Sequence, residues 1–176
     1  AATADESSGS VTVSVTLTAA SSVDTSVDYV TADGSATAAR GDYVAIGSTT
    51  LAFPAGTTTR TFVISVADDA IDEADETIGV TLSNGVGAAI QTASASMTIV
   101  DDDTVSVSAV DVSVDEADGT TVLVRATLTG VADRDVGVTY TISDVSTTDG
   151  VDYSGVTSGV LAWPALTRGD QTVSLD

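Results

Sequence analysis

An internal duplication is the feature that most constrains the fold of this 176-residue chain. Three short motifs occur twice, each time 110 residues apart: Glu6 and Glu116, Asp42 with Tyr43 and Asp152 with Tyr153, and LAFP at 51–54 and LAWP at 161–164. A repeat of this length has the size of an immunoglobulin-like β-sandwich and is too long for a solenoid repeat. The duplication therefore predicts two tandem domains of one fold.

Alternation of apolar and hydroxyl residues predicts that both copies are built of β-strands. Val11, Val13, Val15 and Leu17 alternate with Thr12, Ser14 and Thr16, and Val122, Val124, Ala126 and Leu128 repeat the pattern. Such alternation is typical of a strand with one buried face. Asp33-Gly34, Asn84-Gly85 and Asp118-Gly119 indicate turns, and the stretch 68–76 has room for one helical turn at most. We predict an all-β chain of antiparallel sandwiches.

The two predicted domains are unequal. The first spans 1–103, with a short or missing leading strand before Glu6. The second spans 104–176 and has that strand, from Val105 to Val114, but lacks counterparts of residues 68–103. We expect a window cut from a longer tandem array. The alternative is self-association, in which a neighbour supplies the missing strands by addition at an open sheet edge.

Composition excludes several classes of function. The net charge is −21, with five Arg and no Lys, so nucleic acid and anionic membrane surfaces are repelled. No apolar run approaches the roughly 20 residues that span a bilayer. Without Cys or His the chain has no disulfide, thiolate or imidazole, and its Ser and Thr lack the usual activating bases. The carboxylates are too crowded for a glycosidase pair, so we predict no enzyme.

Clustered carboxylates predict a metal site instead. Asp101, Asp102 and Asp103 are consecutive, and 68–76 reads DDAIDEADE. Such groups repel one another by about 1 kcal/mol per pair at 4 Å in water, and calcium, with its oxygen ligands, is the usual counter-charge. A solvated or halophilic acidic surface is the alternative. Because 22 of the 26 acidic residues are Asp, a type suited to turns and metal loops, the metal interpretation is favoured.

These motifs together resemble the Calx-beta family. They are the turn joining Asp33 to Asp42 and Tyr43, the LAFPAG hairpin, the DDAIDEADE loop and the closing DDD. The resemblance covers almost all of the first repeat and about two-thirds of the second. It implies a seven-stranded sandwich that binds calcium in loops at one end. The implied ligands are Glu6, Asp42, Asp68, Asp69, Glu73, Glu76, Asp101, Asp102 and Asp103.

Nine carboxylates exceed what one calcium ion needs, so we expect two or more ions per complete repeat. Asp102 and Asp69 are the predicted bridging ligands, whereas Asp72 and Asp75 are expected to face solvent. Three consecutive Asp converge only where a strand has ended. The second copy keeps Glu116 and Asp152 but departs from the Calx-beta motifs elsewhere, so no calcium site is predicted in it.

The predicted role is a calcium-binding structural and adhesive segment of an extracellular, cell-surface bacterial protein. Calcium would rigidify the loops and the interdomain junction and turn hinged sandwiches into a rod or fibre. A calcium-sensing regulatory module is one alternative, and a carbohydrate- or ice-binding sandwich is another. Tyr43, Tyr153 and Trp163 are predicted to pack in the core, and the five Arg to lie on the surface.

Overall fold

The protein is described by a computed structural model covering residues 2–115, 120–143, 146, 150, 152–155 and 157–176. Its chain divides into two compact units. The first comprises residues up to Asp69 and the segment Ala74–Asp102. The second comprises Ala70–Glu73 and Asp103–Asp176. None of the described residues forms a helix with the length and apolar character needed to cross a membrane.

Both units are all-β. In chain order the strands are β1 (Thr3–Asp5), β2 (Ser10–Thr16), β3 (Thr25–Asp33), β4 (Thr49–Phe53), β5 (Thr59–Ser65), β6 (Ile71–Asp72), β7 (Glu76–Val86), β8 (Ser94–Val100), β9 (Ser106–Ala109), β10 (Val122–Thr129), β11 (Val131–Ala132), β12 (Val136–Thr141), β13 (Ser158–Trp163) and β14 (Gly169–Leu175). A single 3-10 turn, Glu6–Ser8, follows β1 among the described residues.

The first unit is a sandwich of two sheets. One sheet has the order β1-β8-β7-β3-β4, with β1 parallel to β8 and the other pairs antiparallel, and the second pairs β2 with β5. The alternation in β2 buries Val11 and Val13 and leaves Thr12 and Ser14 exposed. The core between the sheets comprises Val11, Val13, Val27, Tyr29, Ala36, Tyr43, Leu51, Phe53, Phe62, Ile64, Val66, Ile78, Val80, Met97 and Ile99.

The second unit has three small sheets among its described residues. Their strand orders are β14-β10-β9, β12-β13 and β11-β6. The buried cluster of Ala126, Leu128 and Trp163 is much smaller than the first core. Partly buried Val105 and Val107 pack against this cluster, so β9 contributes to the core of its unit.

The duplication is visible in matching connections, from β4 to β5 and from β13 to β14. Because β4 and β5 pair in different sheets, the prediction of a LAFPAG hairpin was wrong. In the first unit the Asp24 carboxylate accepts a hydrogen bond from the Ala55 N–H at 2.9 Å, just after Phe53 and Pro54. In the second unit the Asp135 carboxylate accepts one from the Ala165 N–H at 2.8 Å. Each Asp ties the turn between two strands to the start of a neighbouring strand. This polar contact is therefore repeated together with the LAFP and LAWP motifs.

Several local predictions were wrong. The strand predicted from Val105 to Val114 is limited to β9, Ser106–Ala109. Asn84 and Gly85 form no hairpin turn, because β7 continues to Val86. Instead Asn84 adopts a φ of 51°, where the register between β3 and β7 shifts; a bulge absorbs the extra residue. Residues 68–76 contain β6 and no helical turn, which is within the predicted limit of one turn at most. The predicted Asp118-Gly119 turn lies outside the described residues.

Candidate metal centre

The topology of the first unit brings several acidic segments to one end of the sandwich. β1 and β8 run parallel with Asp5 beside Val100, so Glu6 and Asp101 leave the sheet next to each other. Glu76 lies opposite Ile99 in β8 and starts β7 at the same end. The strand ends therefore gather residues that are up to 95 positions apart in sequence.

Three carboxylates converge at this end. One carboxylate oxygen each of Glu6, Asp68 and Asp102 lie within 4.8 Å of one another, and an oxygen of Asp101 also lies within 4.8 Å of Glu6. Glu6 is 8% exposed and accepts a hydrogen bond from the Asp69 N–H at 3.3 Å. Burial of a carboxylate beside other carboxylates is unfavourable unless a counter-charge compensates it. Because Glu6 is the buried carboxylate that the others surround, it lies at the centre of the candidate site.

Two further contacts fix the loops around Glu6. The Ser7 hydroxyl donates a hydrogen bond to the Asp102 carboxylate at 2.6 Å. The Val66 N–H donates to the Gly9 carbonyl at 3.2 Å, which holds the end of β5 against the turn that carries Glu6. These bonds connect the loop after β8 and the loop after β5 to the same 3-10 turn.

A backbone hydrogen bond holds Asp42 next to the segment that carries Asp68. The Asp42 carbonyl accepts a hydrogen bond from the Ala67 N–H at 3.0 Å, one residue before Asp68. Its carboxylate accepts one from the Thr37 N–H at 2.6 Å. Tyr43, which follows, is 3% exposed and confirms the predicted packing role. The Asp42 side chain thus lies half-buried in the loop that adjoins the Asp68 segment.

Asp33 supports this loop and was not predicted as a site residue. Its carboxylate accepts hydrogen bonds from the Ala38 N–H at 3.0 Å and the Tyr43 hydroxyl at 2.7 Å. The pKa of Asp33 is lowered, mainly by the hydrogen bond from Ala38 and to a smaller extent by the one from Tyr43. The pKa of Tyr43 is raised, mainly by burial and to a smaller extent by its hydrogen bond to Asp33. The sequence signal that could have indicated this role of Asp33 was the spacing between Asp33-Gly34 and Asp42-Tyr43.

Asp101 contributes an oxygen in an unusual environment. Its Oδ1 is buried and has no hydrogen-bond partner among the described residues. Most buried polar atoms in folded proteins have a partner, and an exception calls for an explanation such as an ion. A carboxylate oxygen of this kind, within reach of Glu6, has the chemistry of a ligand for a hard cation.

Not all nine predicted ligands belong to this cluster. Asp69 and Glu76 lie in the first unit, exposed and half-buried respectively, whereas Glu73 and Asp103 belong to the second unit and are half-buried. The first unit therefore carries seven of the nine predicted residues. Glu6 has carboxylate oxygens of Asp68 and Asp102 within 4.8 Å in one group, and one of Asp101 within the same distance in another.

The prediction that Asp72 faces solvent was wrong. Its side chain is 14% exposed and forms an ion pair with Arg134 at 2.6 Å. It also accepts the Val105 N–H at 3.2 Å, and the Asp72 carboxylate raises the pKa of Arg134 through a hydrogen bond and its charge. Because β6 pairs with β11, Asp72 is a structural residue of the second unit. Asp75 is exposed, as predicted.

The matching residues of the second unit form no comparable cluster among those described. Glu116 lies outside the described residues, and Asp152 is exposed. Tyr153 is half-buried, while Trp163 is 2% exposed and donates its indole N–H to the Gly169 carbonyl at 2.8 Å. The predicted core position of Trp163 is confirmed.

Comparisons with known proteins agree with this architecture. The family model of the Calx-beta domain matches residues 1–103 and 101–164. The apo-form Calx CBD1 domain is 34% identical at a TM-score of 0.52, over 58% of this chain and 90% of that one. The CBD12 structure from CALX1.2 is 25% identical at a TM-score of 0.53, over 99% and 70% of the two chains.

A third solved structure is described as the calcium binding domain CBD12 of CALX1.1. It is also 25% identical at a TM-score of 0.53, over 98% of this chain and 70% of that one. No curated protein matches the sequence.

Proposed function

Since the chain belongs to the Calx-beta domain family, we propose that the acidic end of its first unit binds calcium. The observation that carries this proposal is the convergence of Glu6, Asp68 and Asp102, whose ligand oxygens lie within 4.8 Å of one another. Carboxylates this close repel one another, and Ca²⁺ prefers such oxygens in flexible sites. A similar solved structure is itself described as a calcium binding domain.

The ligands divide into two groups. Glu6, Asp68, Asp101 and Asp102 would hold the ion at the centre of the cluster, with Asp42 beside them. The nine carboxylates are completed by Asp69, Glu73, Glu76 and Asp103. If each carboxylate supplies at least one oxygen, nine carboxylates exceed the six to eight oxygens that one Ca²⁺ binds. We therefore propose two or more ions for the complete repeat, with Asp102 and Asp69 as bridging ligands.

The role that fits these ligands is structural. Bound calcium would neutralise the repulsion, stiffen the loops and support the short connection at Asp103 and Thr104. We place the chain in an extracellular, cell-surface bacterial protein, as a non-catalytic adhesive or fibre segment that associates with further copies. The residues between the ligands are mostly Val, Ala, Thr and Ser, the composition of a repeat built for sandwich packing.

Calcium affinity separates this role from that of a calcium-sensing regulatory module. Extracellular modules bind with a Kd of roughly 10⁻⁴–10⁻³ M, and cytosolic sensors with roughly 10⁻⁷–10⁻⁵ M. Isothermal titration calorimetry of the whole chain measures this value, and native mass spectrometry of the calcium-equilibrated protein counts the ions.

Thermal unfolding in calcium and in a chelator tests the site itself. At a calcium concentration 100 times the Kd, binding stabilises the folded state by about 2.7 kcal/mol, so the melting temperature of the first unit rises. Magnesium serves as the control, because it dehydrates reluctantly and demands stricter geometry. A melting temperature that is the same in calcium and chelator, with no bound metal, would contradict the proposal and leave a solvated acidic surface.

A further inference from the structure

The Asn84-Gly85 pair combines reactive chemistry with an unusual place in the fold. Its sequence predicts a turn, but it lies inside β7. Asn84 is the only asparagine of the chain, and both residues of the pair are exposed. The backbone nitrogen of a glycine is not shielded by a side chain, so it can attack the side-chain carbonyl of a preceding asparagine. The pair therefore has the sequence and the exposure of a deamidation site.

A bulge holds this pair in place. The residues on either side of it are paired with β3, so Asn84 and Gly85 together face the single residue Val27. Asn84 has a φ of 51°, in the left-handed region that asparagine adopts more readily than most residues. A Cβ added to Gly85 would lie 2.6 Å from the Ala88 carbonyl oxygen. The fold thus excludes the side chain that would shield the attacking nitrogen.

The Asp28 carboxylate holds the reactive side chain. One of its oxygens accepts a hydrogen bond from the Asn84 side-chain NH₂ at 3.0 Å, and the other accepts one from the Thr50 hydroxyl at 2.6 Å. The pKa of Asp28 is lowered, mainly by the Thr50 bond and to a smaller extent by the Asn84 bond. Hydrogen bonds to a charged acceptor are stronger than neutral ones, so the Asn84 amide is fixed toward β3.

Deamidation requires the amide to leave this position. The Gly85 nitrogen forms a bond to Cγ of Asn84, the bond from Cγ to Nδ2 breaks, and ammonia departs with the proton of the Gly85 N–H. Water then opens the resulting five-membered imide at one of its two carbonyls, which leaves aspartate or isoaspartate. Ring closure needs rotation of the Asn84 backbone and side chain, and the paired neighbours and the bond to Asp28 oppose this rotation.

We propose that Asn84 is a deamidation site whose reaction the native fold restrains, with Asp28 as the restraining group. In the folded chain the amide is held against Asp28 and the reaction is slow, whereas opening of the bulge or unfolding releases it. The co-reactant is water alone. Asn84 lies at the end of β7 remote from Glu76, so the reaction is separate from the metal centre.

The product disrupts the contact that restrains the reaction. An aspartate at this position places a second carboxylate beside Asp28 in place of a hydrogen-bond donor, and like charges at this separation repel each other. Isoaspartate adds a methylene group to the main chain and changes the spacing of the bulge opposite Val27, which is a core residue. Either product weakens the pairing of β7 with β3, so a reaction at the surface lowers the stability of the first unit.

Timed incubation of the whole chain near neutral pH, folded and in denaturant, tests the proposal. Mass spectrometry of the intact chain and its fragments measures the conversion, which is assigned without ambiguity because the chain has no second asparagine. We expect conversion at least tenfold faster in denaturant than in the folded chain. Equal rates in the two states, or no conversion in denaturant, would overturn the proposal.

Asp28→Ala identifies the restraining group. This variant should convert severalfold faster than the parent chain under folding conditions, and Thr50→Val, which frees Asp28 from its other partner, should change the rate in the same direction. Asp24→Ala is the matched control, because it removes the same charge and a hydrogen bond to Ala55 rather than to Asn84. A folded Asp28→Ala chain that converts no faster than the parent or than Asp24→Ala would contradict the proposal.

Asn84→Asp and Asn84→Ser separate the charge of the product from the loss of the amide. Both variants lose the donor to Asp28, but only the first adds a carboxylate. The melting temperature of Asn84→Asp should be lower than that of Asn84→Ser at low ionic strength, and salt should narrow the gap. Equal melting temperatures would overturn repulsion as the consequence of the reaction. All these measurements are made in chelator, so their outcome does not depend on calcium.

Discussion

The two copies of the repeat share one antiparallel strand pair, β3 with β4 and β12 with β13, and differ in how far the neighbouring core is covered. Phe53 and its counterpart Trp163 are 1% and 2% exposed, and an Asp carboxylate ties the adjacent turn in each copy. In the strands that follow, β5 and β14, Ile64 is fully buried but its counterpart Leu175 is only half-buried. Equivalent sequence thus sets this strand pair, while burial depends on which other strands pack over it.

The difference follows from the strands that flank the shared strand pair. In the first unit β7 pairs with β3 and supplies Ile78 and Val80 to the core. In the second unit β12, the copy of β3, pairs with β13 alone among the described residues. In the second unit β9 pairs with β10, whereas β2 pairs with β5 alone among the described residues.

The largest effects are expected where the copies agree. Phe53→Ala and Trp163→Ala each remove a fully buried ring and should destabilise their own unit by about 3–5 kcal/mol. Hydrogen exchange with mass spectrometry, read separately for peptides of the two units, measures each effect. Val63→Ala, at an exposed position of β5, is the control that should change little. A similar loss of protection in Val63→Ala would show that the ring itself is not responsible.

A smaller effect should distinguish the copies where they differ. Leu128→Ala removes a side chain that β9 covers and should cost about 2–5 kcal/mol, whereas Leu17→Ala, at a half-buried position, should cost clearly less. Chemical denaturation followed by Trp163 fluorescence reports on the Leu128 variant, and hydrogen exchange of β2 reports on the Leu17 variant. Equal losses at the two positions would mean that β9 does not account for the difference in burial.

The fold was largely predictable from the sequence because alternation in β2 and its copy β10 is a local signal with a period of two. The convergence at Glu6 depended on resemblance, since no local pattern states that β1 runs parallel to β8. Asp72 was mistaken for a solvent-facing residue because its partner, Arg134, lies 62 positions away. The supporting role of Asp33 was missed for the same reason: it depends on a tertiary hydrogen bond to Tyr43.

The metal centre provides a further difference between the copies. Asp102→Asn removes one charge from the cluster and should lower calcium affinity at least tenfold, or about 1.4 kcal/mol, as measured by calorimetry. Asp75→Asn, which changes the same charge at an exposed position of the neighbouring loop, is the matched control and should retain the affinity. If the two variants lose affinity equally, net charge rather than the cluster attracts the ion.

The smallest expected effect concerns pH and the loop that supports Asp42. Since hydrogen bonds from Ala38 and Tyr43 lower the folded-state pKa of Asp33 below 3.8, the carboxylate stabilises the fold above that value. Protonation removes this contribution as the pH falls through the lowered pKa. Asp33→Asn should therefore be less stable than the parent chain near neutral pH and approach it in acid. Melting curves from pH 7 down to the acid limit, in chelator throughout, measure the difference. A gap that stays constant across this range would assign the effect of Asp33 to packing rather than to its charge.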